Sequence, residues 1–140
     1  MIGRPCRAGA MQTDSNMTVA YWCVLIAGLL PYVATLTAKI GGERFDNRNP
    51  RAWLGAQSGF RARANAAQLN GFEAFPLFAA GVVIAHVAGA DQARIDTLAA
   101  TFIVARLFYL GFYLADVPIL RSLAWFVGIG SAAALFFAAA

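Results

Sequence analysis

Crossing about 30 Å of hydrocarbon takes about 20 residues of helix, and this chain carries four apolar runs of that length, at about 18–40, 66–88, 95–115 and 119–140. In lipid no water satisfies exposed N–H and C=O groups, so runs of this kind must close their own hydrogen bonds as helices. The expected fold is therefore all-α, an integral membrane bundle of four helices. Composition agrees: 60 % of the residues are hydrophobic and 13 % charged, against about 25 % charged in soluble domains. Recurrent Ala, Gly and Ser on all four runs suit close helix packing in lipid.

A chain of 140 residues has room for one domain, expected over 17–140. The leader 1–16 is polar and small without a signal-peptide core, and is expected to be disordered or a mis-annotated start, with Met17 as the alternative. Cys6 lies in the leader and Cys23 inside an apolar run, far along the chain, so neither a disulfide framework nor a metal-ligand spacing is present. The formal net charge of +4 does not point to nucleic acid, because the basic residues are not interleaved with aromatics on a soluble face. Most of them lie in the first connection, where Lys39, Arg44, Arg48, Arg51, Arg61 and Arg63 face only Glu43 and Asp46. Such a loop is expected on the cytoplasmic side, with both termini outside the cytoplasm and the protein in an inner (plasma) membrane. Gly41-Gly42 and Asn49-Pro50 punctuate the loop, so a helix should restart after Pro50 and the second span should project beyond the membrane with Arg61 and Arg63. The third connection, Asp116-Val117-Pro118, is a tight turn with proline placed for the first turn of the next helix.

Polar residues inside the spans are the candidates for function. Arg106 lies about eleven residues from one end of its run and about nine from the other, about 14–16 Å by helical rise, too deep to snorkel readily. A central Arg costs about 2.5–3.5 kcal/mol on insertion scales and needs a partner. Glu73, the only acid in the second run, falls within about 5 Å of the same depth and is the expected partner. Asn70 shares a face with Glu73, and Tyr109 and Tyr113 share one with Arg106. These sets lead toward the cytoplasmic end, where Arg63 and Arg121 also fall, and together describe a polar cleft open to that side. A structural ion pair alone would need no further Arg, Tyr and Asn, whereas a site for an anion would, because guanidinium groups fork onto carboxylates. Pro76 is expected to bend the second helix beside Glu73. His86, with no second ligand near it in sequence, is expected in an interfacial or packing role.

Two stretches carry a family resemblance. Ala67-Gln68-Leu69-Asn70-Gly71-Phe72-Glu73-Ala74-Phe75-Pro76-Leu77-Phe78 resembles the second-helix signature of the MAPEG family, the membrane-associated proteins in eicosanoid and glutathione metabolism. Ala105-Arg106-Leu107-Phe108-Tyr109 to Tyr113 is similar to its third-helix segment, and Pro118-Ile119-Leu120-Arg121-Ser122 to the start of its fourth helix. The resemblance runs from about Tyr21 to the C-terminus and is that of a bacterial-type member. It implies a homotrimer of four-helix subunits with glutathione, a co-substrate, held in clefts between neighbours. Asn70, Glu73, Arg106, Tyr109 and Tyr113 would bind the tripeptide, and Arg121 would be catalytic, holding the thiolate, with Ser122 beside it; Arg63, seven residues before Asn70 and on nearly the same helical face, is a further candidate for binding it. The sequence departs from the family at Ala66, where enzymatic members usually carry Arg, and at Ala74, which often is aromatic.

The activity implied is a glutathione-dependent transferase or peroxidase acting on lipophilic electrophiles or hydroperoxides. The alternative is a non-catalytic membrane protein of the same fold that binds another anionic or lipid ligand. A proton-coupled exporter is disfavoured, because Arg106 stays charged and would hold Glu73 ionised.

Overall fold

The computed structural model describes residues 17–41 and 44–140. The leader 1–16 with its Cys6 lies outside the described residues, as do Gly42 and Glu43 of the first loop. Among the described residues the chain forms five helices: α1 (Val19–Ala38), α2 (Pro50–Gly55), α3 (Gly59–Val87), α4 (Gln92–Leu114) and α5 (Pro118–Ala138). All but α2 are long and apolar enough to cross a membrane. The most extensive pairings are α4 with α5 and α1 with α3, and α3 also packs on α4 and α5.

The packing puts small residues inside and large ones outside. On α1 the buried positions are Ala20, Cys23, Ala27, Pro31, Ala34 and Ala38, a three- and four-residue spacing that draws one narrow stripe down the helix. The exposed positions include Trp22, Leu25, Leu29, Tyr32, Val33 and Leu36. In water this arrangement would be unstable, whereas in lipid it brings backbones close and leaves large side chains to the acyl chains. Closest approach occurs at Gly71, where a Cβ would lie 2.8 Å from the Cγ of Pro31. Larger side chains fill the centre of the bundle, where the buried rings of Phe78 and Phe102 stack in parallel with centroids 3.9 Å apart.

Helix α3 is 29 residues long, about 43 Å at 1.5 Å per residue, so it exceeds the hydrocarbon thickness by about nine residues. The projecting turns carry Arg61 and Arg63, as the loop punctuation predicts. The restart after Pro50 differs from a single long helix: α2 ends at Gly55, and Ser58 is extended before α3 begins. Leu54 accounts for this short piece, since it is buried against Ala38 and Ala64 and pins α2 to the ends of α1 and α3. α3 continues as helix through Pro76 to Val87.

The turns follow their local chemistry. After α3, Ala90 N–H donates to Ala85 O and Gly89 N–H to His86 O, with Gly89 at φ 73°, the left-handed position that this helix ending requires. After α4 the same pattern recurs, with Val117 N–H on Phe112 O and Asp116 N–H on Tyr113 O. Here the left-handed residue is Asp116, at φ 61°. Pro118 then occupies the first turn of α5.

At the opposite end of the bundle, His86 has more to do than fill space. Its Nδ1 lies 2.8 Å from Val82 O, which can only accept, so Nδ1 donates, and Nε2 hydrogen-bonds with the Thr18 hydroxyl at 3.1 Å. Tyr21 stacks on the imidazole at 4.2 Å, and Asp96 accepts from Ala20 N–H at 2.9 Å. These contacts tie the start of α1 to α3 and α4.

Candidate functional site

Arg106 is 6 % exposed in the middle of α4. Its stem lies under α5, where a Cβ on Gly128 would sit 3.6 Å from Arg106 Cδ. Its Nη1 donates to Asn70 Oδ1 at 2.9 Å, and its Cζ lies 4.2 Å from the centroid of the Tyr109 ring. This corrects the expected partner. Glu73 is exposed and makes no ion pair with Arg106 among the described residues; Asn70 stands between them, donating to Glu73 Oε2 at the long distance of 3.5 Å. The reason is angular: three residues along a helix fall about 60° short of a full turn. A matching depth does not give a matching direction, so Asn70 faces α4 while Glu73 faces out of the bundle.

From Arg106 a ladder of cations and rings runs to α5. Tyr109 and Tyr113 meet edge to face at 5.4 Å, and Arg121 Cζ lies 4.6 Å from the Tyr113 ring. The two guanidinium groups thus bracket two tyrosines, an arrangement in which the ring faces attract the cations. Asn70, Tyr109, Tyr113, Arg121, Ser122, Trp125 and Phe126 line a single concavity of about 340 Å³. Side chains from α3, α4 and α5 therefore converge, although they are far apart in sequence.

Arg121 sits in the first turn of α5, a turn that carries no acid. A helix N-terminus already bears partial positive charge and disfavours a cation. Placing Arg there costs stability and concentrates positive potential at the mouth of the concavity, which suits an anion. Ser122 lines the same space, with its hydroxyl donating to Pro118 O at 3.0 Å.

Arg63 is turned elsewhere. Its Nη2 donates to Leu114 O at 3.2 Å and its Nη1 lies 3.6 Å from Asp116 Oδ2, so it caps the end of α4 and does not line the concavity with Asn70. Ala66 offers no charge to replace it. Trp125 and Phe126 are wall residues that the sequence reading did not single out. The available signal was spacing, since Trp125 lies four residues after Arg121 and so on the same face.

Searches of curated proteins and of solved structures gave no match. The family model of the MAPEG family matches residues 19–140, which takes in all four long helices and every residue of the concavity. This chain belongs to the MAPEG family and is a multi-pass integral membrane protein.

Proposed function

We propose that the protein is a glutathione-dependent membrane transferase or peroxidase acting on lipophilic electrophiles or hydroperoxides. The observation that carries this reading is the convergence of Asn70, Tyr109, Tyr113 and Arg121 on one concavity, with Arg121 at the positive end of α5. A thiol of pKa about 8.5 is mostly protonated at neutral pH, and an adjacent guanidinium favours the nucleophilic thiolate. With an electrophile, the thiolate forms a carbon–sulfur bond and the leaving group departs with its electron pair. With a hydroperoxide, the thiolate takes the distal oxygen, the O–O bond breaks and the alkoxide is protonated to an alcohol. A second glutathione then reduces the sulfenic acid to disulfide and water.

Glu73 has a specific place in this reading. An exposed carboxylate on a membrane-spanning helix is costly unless covered or paired, and no cation of its own chain pairs with it among the described residues. The ammonium of a bound tripeptide, enclosed by a neighbouring subunit of a homotrimer, supplies both cover and charge. Asn70 and the tyrosines would hold the remaining polar groups, with Arg106 fixing Asn70 from behind, and the first loop would face the cytoplasm from the plasma membrane.

Ultraviolet absorbance of the thiolate tests the reading on protein purified in detergent with glutathione. We expect a thiolate signal in the wild type that is lost in Arg121→Ala. A folded wild type that binds glutathione without forming thiolate, or does not bind it, would favour the non-catalytic alternative, for which Ala66 is the supporting observation.

A further inference from the structure

The inner wall of the concavity differs in chemistry from its mouth. Arg121, Ser122 and Tyr113 supply charge and hydroxyls, whereas Trp125 and Phe126 supply aromatic rings. Trp125 lies one turn beyond Arg121, about 6 Å farther along α5 and away from its mouth. Trp125 is half-buried and packs against the buried cluster of Ala34, Ala67, Tyr109 and Ala124. Phe126 meets it edge to face at 5.1 Å and 81°, and is itself 64 % exposed. The two rings therefore form a braced right-angled corner, with one leaf in the concavity and the other reaching the lipid-facing surface.

A corner of this shape takes a flat ring by stacking on one leaf and meeting the other at its edge, the two arrangements that aromatic quadrupoles favour. An electron-poor ring gains most, because its face is positive where the indole face is negative. An alkyl chain gains only buried area, which any apolar side chain would provide.

Resting on the glutathione reading above, we propose that Trp125 determines specificity by favouring planar, electron-poor aromatic electrophiles over alkyl hydroperoxides. The thiolate held at Arg121 adds to the ring carbon that bears the leaving group, forming the carbon–sulfur bond. The electron pair passes to the electron-withdrawing substituents and returns as the leaving group departs as an anion. Arg121 lies on the mouth side of the corner, where it faces the charge on the sulfur before attack.

The test uses the full-length protein in detergent as wild type, Trp125→Leu and Trp125→Phe, with 1-chloro-2,4-dinitrobenzene and tert-butyl hydroperoxide as paired substrates. In Trp125→Leu the aromatic-to-alkyl ratio of kcat/KM falls about two- to tenfold, mainly through KM for the aromatic substrate, and Trp125→Phe restores most of it. Thiolate absorbance with glutathione is recorded on each sample. If all three proteins form thiolate and the ratio does not change, or both substrates lose equally, the specificity role is overturned while the glutathione reading stands. The same holds if the wild type forms thiolate but does not turn over the aromatic substrate. If the wild type forms no thiolate, the glutathione reading falls and this inference falls with it.

Discussion

Replacing Asn70 by Leu separates two accounts of how Arg106 is tolerated in the bilayer. Arg106 is 6 % exposed and has one side-chain hydrogen-bond partner among the described residues, Asn70 Oδ1 at 2.9 Å. A hydrogen bond to a charged group contributes about 1.5–3 kcal/mol in water-soluble proteins. In membranes the unfolded reference also finds partners, and measured couplings average about 0.6 with a maximum near 1.7 kcal/mol. For a buried guanidinium the upper part of that range applies, so Asn70→Leu should cost about 1–2 kcal/mol. Stacking of Arg106 on Tyr109 at 4.2 Å persists in the variant and keeps the loss from growing larger. Glu73→Gln should cost less than about 0.5 kcal/mol, as expected of a substitution away from packed or paired groups. The assay is reversible unfolding in mixed micelles by added dodecyl sulfate, followed by circular dichroism. A cycle with Arg106→Leu isolates the pair, because Asn70→Leu should then cost almost nothing. Equal losses for Asn70→Leu and Glu73→Gln, or a zero coupling in the cycle, would refute the assignment of Asn70 as the partner.

Two further outcomes test the packing and the turns. Gly71→Ala puts a methyl 2.8 Å from the rigid ring of Pro31 and should force α1 from α3 at a cost of about 1–3 kcal/mol, whereas Gly111, with nothing within 4 Å of a Cβ, should accept Ala without loss; equal unfolding midpoints for the two variants would contradict the close approach. Asp116→Gly removes a left-handed Asp at φ 61°, a strain of about 1–2 kcal/mol, and loses only a pair with Arg63 at 3.6 Å in which Asp116 is 71 % exposed, worth about 0–1 kcal/mol. The variant should match or exceed the wild type in thermal stability, and a lower midpoint would mean that the ion pair outweighs the strain.

The bundle was legible in the sequence because its cause is one-dimensional. Length of apolar run and the Asp116-Val117-Pro118 turn each act locally, and each appears in the structure where the residues place it. The start of α2 at Pro50 was legible, but its end was not, since that depends on Leu54 reaching Ala38 and Ala64, partners that only the folded chain brings near. The same holds for Arg63. Its helical face suggests the site, but the free carbonyl of Leu114 and the carboxylate of Asp116 lie closer, and an unsatisfied helix end is a strong acceptor.

For the site, depth along the helix could be counted from sequence but azimuth could not be fixed with the accuracy that contact requires. Glu73 and Asn70 are both near the level of Arg106, and charge alone selects Glu73. Helix rotation selects Asn70, because the buried stripe of α3 that includes Ala64, Ala67 and Phe78 sets which side meets α4. That rotation leaves Glu73 outward with a charge that pairs with no cation among the described residues. An acid exposed within a span and an Arg at the positive end of a helix both act against the stability of the isolated subunit. On the proposed glutathione reading, their costs would fall when a zwitterionic ligand offers an ammonium to one and an anionic sulfur to the other. On that reading, the residues that fit the isolated bundle worst are the ones that would best specify its ligand.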